Sequence, residues 1–112
     1  DRCVLVFDSD EAGRRAALRS GMILLGEGIE CSVAPLDPGE DPDSQLRKRG
    51  KDDLLGRIEA SEDIVRYALE DARNRHPSDR MADRFQVIDA IIPYLVKIIV
   101  EAYDKYFEKG EK

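Results

Sequence analysis

What the sequence holds little of sets the first bounds. It has two cysteines, one histidine, no tryptophan, and 18 basic residues against 24 acidic ones. Cys3, Cys31 and His76 are too few soft ligands for a zinc site. Both cysteines lie in apolar runs, so they read as reduced core residues of a cytoplasmic protein. The longest apolar run is too short to cross a bilayer and no signal peptide is recognisable, so no membrane association is expected. There is no internal repeat and no low-complexity tract. The deficit of positive charge, −6 in all, argues against binding nucleic acid by bulk attraction, because affinity for the phosphate backbone comes from Lys and Arg. Carboxylates that hold a divalent cation would reverse the local sign. A chain of 112 residues is one domain's worth and can bury one modest core. It starts with Asp1 and enters its first strand almost at once, which reads as a piece of something longer.

What is present is organised around residues 3–13, CVLVFDSDEAG. Five apolar residues run without a break into Asp8, Ser9 and Asp10, and Glu11 opens an Ala- and Arg-rich segment. The pattern predicts a strand, an acidic turn and a helix start. An unbroken apolar run suits a parallel strand buried on both faces. The end of such a strand is where open α/β folds place their ligands. Residues 11–26 carry Leu18, Met22 and Leu25 on one face and predict a covering helix ended by Gly26 and Gly28. Residues 29–34 (IECSVA) predict a second strand, parallel to the first through a right-handed crossover.

The next stretch, PLDPG at 35–39, is turn chemistry. Asp41 then suits a helix cap, with Pro42 at the first helical position and Asp43 in the first turn. Helices are predicted over 45–49 and 51–60, the second with Leu54, Leu55 and Ile58 facing inward. Ser61 suits the cap of a helix over 62–75, which His76 and Pro77 end. From Met81 the apolar positions 81, 85, 88, 92, 95, 99, 103 and 106 step by four and three, a seam for packing on another helix. Pro93 predicts a split of this tail into two helices, near Pro93 or Lys97, with a frayed end. The fold class is therefore α/β: a two-stranded parallel sheet with a crossover helix in residues 1–60, followed by an all-helical segment in 61–112.

Asp8 and Asp10 are two apart, as are Asp41 and Asp43. Side chains two apart share a face of an extended chain, and both pairs leave parallel strands at the same sheet edge. Four carboxylates there could hold one or two Mg²⁺ ions, or Mn²⁺ in their place, since such ions take oxygen ligands and keep waters for substrate phosphates. Two ions can clamp the attacking and leaving oxygens of a nucleotidyl transfer. The plainer reading is that Asp10 and Asp41 only cap helices, although capping does not exclude ligation. Arg14, Arg15 and Arg19 follow the first pair, and Arg47, Lys48 and Arg49 the second. They are phosphate-binding candidates or a solvated helix face. Tyr94, Tyr103 and Tyr106 read as core or interface.

These residues resemble a known family. The stretches DSDEAGRRAA (8–17) and PGEDPDSQLRKRG (38–50) are similar to the last part of the TOPRIM catalytic domain of bacterial-type DNA primases. The first motif is shared with topoisomerases and small nucleases, whereas the second, followed by RKRG, is far more specific to primases. IIPYLVKI (91–98) extends the likeness into the following helices, and residues 100–112 depart from it. The resemblance implies a template-directed RNA polymerase that makes short primers on single-stranded DNA from NTPs, for a replicative helicase in the primosome. It implies that Asp8 and Asp10 are catalytic and that Asp8, Asp10, Asp41 and Asp43 bind metal, with Arg14, Arg15 and Lys48 as phosphate contacts. In that family a strand ending in a catalytic Glu precedes the stretch seen here, and zinc-binding and helicase-binding domains flank the whole. The expectation is that these 112 residues alone hold part of the site and do not polymerise. The first strand would then present an unpaired apolar edge, a template for homodimerisation or strand exchange.

Three other readings compete with this one. An Asp-x-Asp after a buried strand also serves phosphatases and phosphotransferases, with Asp8 as nucleophile and Asp10 as acid. No downstream Lys or acidic strand completes that set, and 41–44 has no place in it. A signalling receiver domain lacks its Lys-bearing strand. A non-catalytic interaction module with a helix-binding tail suits the apolar seam.

Overall fold

The computed structural model describes residues 2–110, of which 107–110 by backbone alone. The expected fraying of the last residues therefore lies outside the described part. Eight elements follow one another: β1 (Arg2–Leu5), α1 (Glu11–Gly26), β2 (Glu30–Val33), α2 (Pro42–Arg49), α3 (Lys51–Glu59), β3 (Glu62–Asp63), α4 (Ile64–Arg75) and α5 (Met81–Gly110). The parallel pair is present, with Cys3 opposite Cys31 and Leu5 opposite Val33. α1 spans the predicted residues, capped by the Asp10 carboxylate, which accepts from the Gly13 N–H at 2.7 Å.

Two expectations give way around residue 61. A third, two-residue strand pairs antiparallel to β2, with Asp63 opposite Ser32 and Glu62 opposite Val33, so the sheet has three strands in the order β1-β2-β3. The chain thus stays extended beyond Ser61. Asp63, not Ser61, caps α4, accepting from the Val65 N–H at 3.0 Å. The Ser61 hydroxyl is buried with no hydrogen-bond partner among the described residues.

The core lies on the face of β2 that carries Cys31 and Val33, two apart and so on one side of the sheet. Against them pack Ala17 from α1, Ile64 and Ala68 from α4, and Tyr94 from α5, whose hydroxyl donates to the Leu18 carbonyl at 3.3 Å. Sheet and core draw on residues from both 1–60 and 61–112. β1 is less covered than an unbroken apolar run suggests. Residues 3–7 are only half-buried, because β1 is the edge of the described sheet and the core helices lie over β2.

The tail is one 30-residue helix rather than two, with Pro93 inside it. Proline has no N–H to offer the Asp89 carbonyl, but Pro93 is exposed, where water can take that acceptor. The seam read from the sequence stays largely open to solvent, although Ile88 lines a pocket with Leu69 and Arg73 of α4. Met81, Phe85, Ile88, Ile92, Leu95 and Ile99 are all exposed, and the helix docks through Tyr94 and Ile91 instead. Tyr103 and Tyr106 are exposed as well, unlike Tyr94, and Leu55 of α3 faces outward. This long helix gives a radius of gyration of 16.2 Å, above the roughly 13 Å of a compact chain of about this length.

Candidate functional site

Two loops leave the carboxyl ends of β1 and β2, and they are tied together. The Ser9 N–H donates to the Glu40 carbonyl at 3.1 Å, and the Glu40 N–H donates to the Ser9 hydroxyl at 3.1 Å. The acidic pairs at 8/10 and 41/43 therefore flank one backbone junction. Beside it lies a cavity of about 190 Å³ whose walls include Phe7, Asp8, Ser9, Arg14, Val33 and Tyr67.

Each loop has a local reason for its shape. In the first, a Cβ on Gly13 would lie 1.8 Å from the Asp8 carbonyl oxygen, so the helix start and the strand end approach as only glycine allows. In the second, the Glu40 N–H donates to the Asp37 carbonyl at 3.0 Å. Pro38 and Gly39, the latter at φ +80°, form the turn between them, as a type II turn requires. Asp41 then caps α2 in a reciprocal pair. Its carboxylate accepts from the Ser44 N–H at 2.7 Å, and its own N–H donates to the Ser44 hydroxyl at 3.0 Å. The Ser44 N–H holds the Asp41 carboxyl below its ordinary pKa.

The site residues fall into distinct situations. The Asp8 carboxylate is exposed and has no hydrogen-bond or ionic partner among the described residues. Asp10 and Asp41 spend one oxygen each, Oδ1, on a helix cap. Asp43 is exposed and ion-pairs with Arg47 at 3.0 Å. Arg14 donates to the Ser9 carbonyl at 3.2 Å and reaches Asp71 at 4.0 Å. Arg15 pairs with Glu11 one turn away, and Lys48 pairs with Glu40 at 2.6 Å. The structure thus joins the two loops but does not converge their carboxylates. No three His, Cys, Asp or Glu side chains among the described residues form a group that could hold a metal ion.

Glu40 and the network behind it went unread in the sequence. Glu40 accepts from Lys48 and from the Ser44 hydroxyl, and these bonds, Lys48 first, hold its carboxyl below the ordinary value. Ser44 and Lys48 stand one turn apart on α2, a usable signal, and Glu40, just ahead of the Asp41 cap, reaches both. Gln45 is fully buried and binds the Asp37 N–H at 2.9 Å and the Asp53 carboxylate at 3.1 Å. Arg57 closes the ring to Asp37 at 2.8 Å, Asp53 at 2.9 Å and the Pro35 carbonyl at 3.1 Å. No periodicity marks a buried glutamine, so nothing in the sequence announced this brace under the second loop.

Comparison with known proteins gives the arrangement a family. A Toprim-like family model matches residues 1–46. The chain is 38% identical over 73 residues to a DNA primase of Chlamydia pneumoniae, which covers 65% of the chain and 12% of the relative. It is 31% identical over 91 residues to that of Chlamydia trachomatis, covering 81% and 15%. Among solved structures it is similar to a DNA primase domain from Pseudomonas aeruginosa, with 28% identity and a TM-score of 0.69, covering 87% of the chain and 32% of that domain. A DnaG primase catalytic domain bound to single-stranded DNA shares the fold, with a TM-score of 0.67, 24% identity, and coverage of 99% and 37%. The class defined by fold and loops is Toprim-like. Within it, the chain corresponds to a segment of the catalytic core of bacterial-type DNA primases. It spans less than a fifth of the length of the two curated relatives named.

Proposed function

We propose that these residues form part of the nucleotidyl-transfer centre of a DNA primase acting in the cytoplasm on a single-stranded DNA template with NTPs. The observation that carries this reading is the Ser9–Glu40 junction, which sets two Asp-x-Asp loops side by side at the carboxyl ends of parallel strands. Asp8 and the free oxygens of Asp10, Asp41 and Asp43 are hard donors of the kind Mg²⁺ or Mn²⁺ takes. Because Mg²⁺ takes one or two carboxylates and keeps its waters, the donor set suits it without a closed cage. When bound, such ions stabilise charge on the attacking and leaving oxygens of a phosphoryl group. Asp8 offers its unpaired carboxylate, while the caps fix Asp10 and Asp41 against their helices. Arg14 stands at the cavity beside Asp8, positioned by the Ser9 carbonyl to meet a phosphate. Arg15 and Lys48 would have to leave Glu11 and Glu40 to do the same.

The reading extends to what the chain does by itself. The 112 residues bind metal weakly and do not synthesise primers alone. The half-buried edge of β1 and the uncovered stripe of α5 support self-association of the chain. Calorimetric titration of Mn²⁺ into the chain and into an Asp8→Asn, Asp10→Asn variant tests the centre. Binding by the parent and its loss in the variant are expected. Equal titration of both, or of neither, would overturn the metal site.

A further inference from the structure

Between α4 and α5, at the turn that joins them, lies a pocket of about 340 Å³ whose walls include Arg73, Ser78, Asp79 and Arg84. Arg73 belongs to α4 and Arg84 to α5, and neither side chain has a hydrogen-bond or ionic partner among the described residues. Two guanidiniums against the carboxylate of Asp79 give the pocket a positive balance on a chain whose net charge is −6. It shares no lining residue with the cavity beside Asp8. Ser78 is the one exposed serine of the six in the chain, which has no threonine. Its hydroxyl donates to the Asp83 carboxylate and accepts from the Arg80 N–H at 3.3 Å. Arginines stand three and five positions ahead of it, Arg75 and Arg73, which is true of no other serine here.

We propose that Ser78 is the phosphoacceptor of an Arg-directed protein kinase and that the α4–α5 pocket receives the phosphoryl group. In the transfer, the Ser78 Oγ forms an ester bond to the γ-phosphorus of ATP as the bond from that phosphorus to its bridging oxygen breaks. ADP leaves with the electron pair, and the hydroxyl proton passes to the kinase's base. Arginines at set distances ahead of a hydroxyl are a charge pattern by which kinases select substrates. The product carries about −1.5 to −2 charge and three acceptor oxygens, beside two guanidiniums that nothing else engages. Phosphorylation removes the proton that Ser78 donates to Asp83, and like charge then drives that carboxylate and the phosphate apart. Arg73 and Arg84 are the pairing groups that the pocket offers in exchange. The modification thus trades a bond at the entry of α5 for a link that ties α4 to α5.

Incubation of the 112-residue chain with ATP and a purified Ser/Thr kinase selective for arginine at these two positions tests the acceptor. Mass spectrometry is expected to find one phosphate on the parent, at Ser78, and none on Ser78→Ala. Phosphorus NMR titration of the phosphorylated chain tests the pocket. Guanidiniums favour the dianion, so the second pKa of the phosphate is expected below the value of about 6 that an exposed phosphoserine shows. Arg84→Gln leaves the segment the kinase reads intact, so it should be phosphorylated as the parent is, with that pKa raised toward about 6. Circular dichroism confirms the fold of each variant. A parent that takes up no phosphate, or equal uptake by Ser78→Ala, would overturn the acceptor. A phosphate pKa that Arg84→Gln leaves unchanged would overturn the pocket's part in holding it.

Discussion

Ser9 and Glu40 exchange two 3.1 Å hydrogen bonds across 31 positions of sequence. One bond is backbone to backbone and the other uses the serine hydroxyl, so the residue type at position 9 matters. Ser9→Ala removes one of the two acceptors of the half-buried Glu40 N–H and leaves it the Asp37 carbonyl, at a cost of about 0.5–1 kcal/mol. Urea denaturation should show this loss, together with weaker Mn²⁺ binding. Unchanged stability would mean that the junction is held by the backbone bond alone.

Gly13 touches the same junction from the other side. Gly13→Ala would place a Cβ 1.8 Å from the Asp8 carbonyl, so strand end and helix must part. The expected destabilisation is about 1–3 kcal/mol, the range of overpacked sites. Ala at 13 keeps the helix propensity high, so a stabilised variant in the same denaturation experiment would refute the contact.

The brace under the second loop is made of carboxylates held below their ordinary values of 3.8 for Asp and 4.5 for Glu. Gln45 and then Arg57 lower Asp37, Arg57 lowers Asp53, and Lys48 lowers Glu40. A depressed folded-state pKa means that the unfolded chain takes up protons first as pH falls. The contribution is therefore complete above about pH 5 and lost as the pH drops below 4 through the folded values. Thermal unfolding followed from pH 7 to pH 3 should show the fall, and Asp37→Asn should flatten it. A parent curve level across that window would remove the brace from the account of stability.

Cys31 lies opposite Cys3 in the parallel pair, and both are free thiols. Burial, with smaller contributions from Cys3 and Asp63, pushes the Cys31 thiol up to about 11. Only the thiolate attacks a disulfide reagent. In Ellman titration at pH 8, Cys31 should therefore stay silent until urea is added, and Cys31→Ser should leave the fast phase intact. Rapid reaction of both thiols in the folded chain would contradict the packing of β2.

How much of this was legible follows from which forces act locally. The strand, crossover helix and strand were readable because apolar runs and caps are local signals, and Asp10 and Asp41 cap as their positions in the sequence suggest. The joining of the two loops was legible only as parallel topology. The bond that makes it, Ser9 to Glu40, depends on a tertiary register that no window of sequence contains. Ser61 misled because a serine before an apolar stripe looks like a cap, whereas pairing with β2 carries the extended chain on to Asp63. Pro93 misled because its usual cost assumes a buried site, and here Pro93 and Asp89 are both exposed. The heptad-like seam is legible as an apolar face for another helix, but periodicity marks a face without saying what lies against it.

That seam yields the last prediction. Ile88, Ile92, Leu95 and Ile99 stand at 53%, 45%, 44% and 65% exposure along α5, an apolar stripe with a period suited to a second helix. An uncovered stripe of this kind in water favours association, because each buried apolar residue gains roughly 1.5–3 kcal/mol over the exposed one. Light scattering of the 112-residue chain should show a concentration-dependent rise in mass, reversed by the pair Ile92→Lys and Ile99→Lys. Both positions point away from Tyr94 and the core, so the double variant should keep the parent's helical signal. If the edge of β1 drives association instead, the double variant will still associate and a Val4→Lys variant will not. A parent that stays monomeric at high concentration would show that neither the stripe nor the edge pairs two copies.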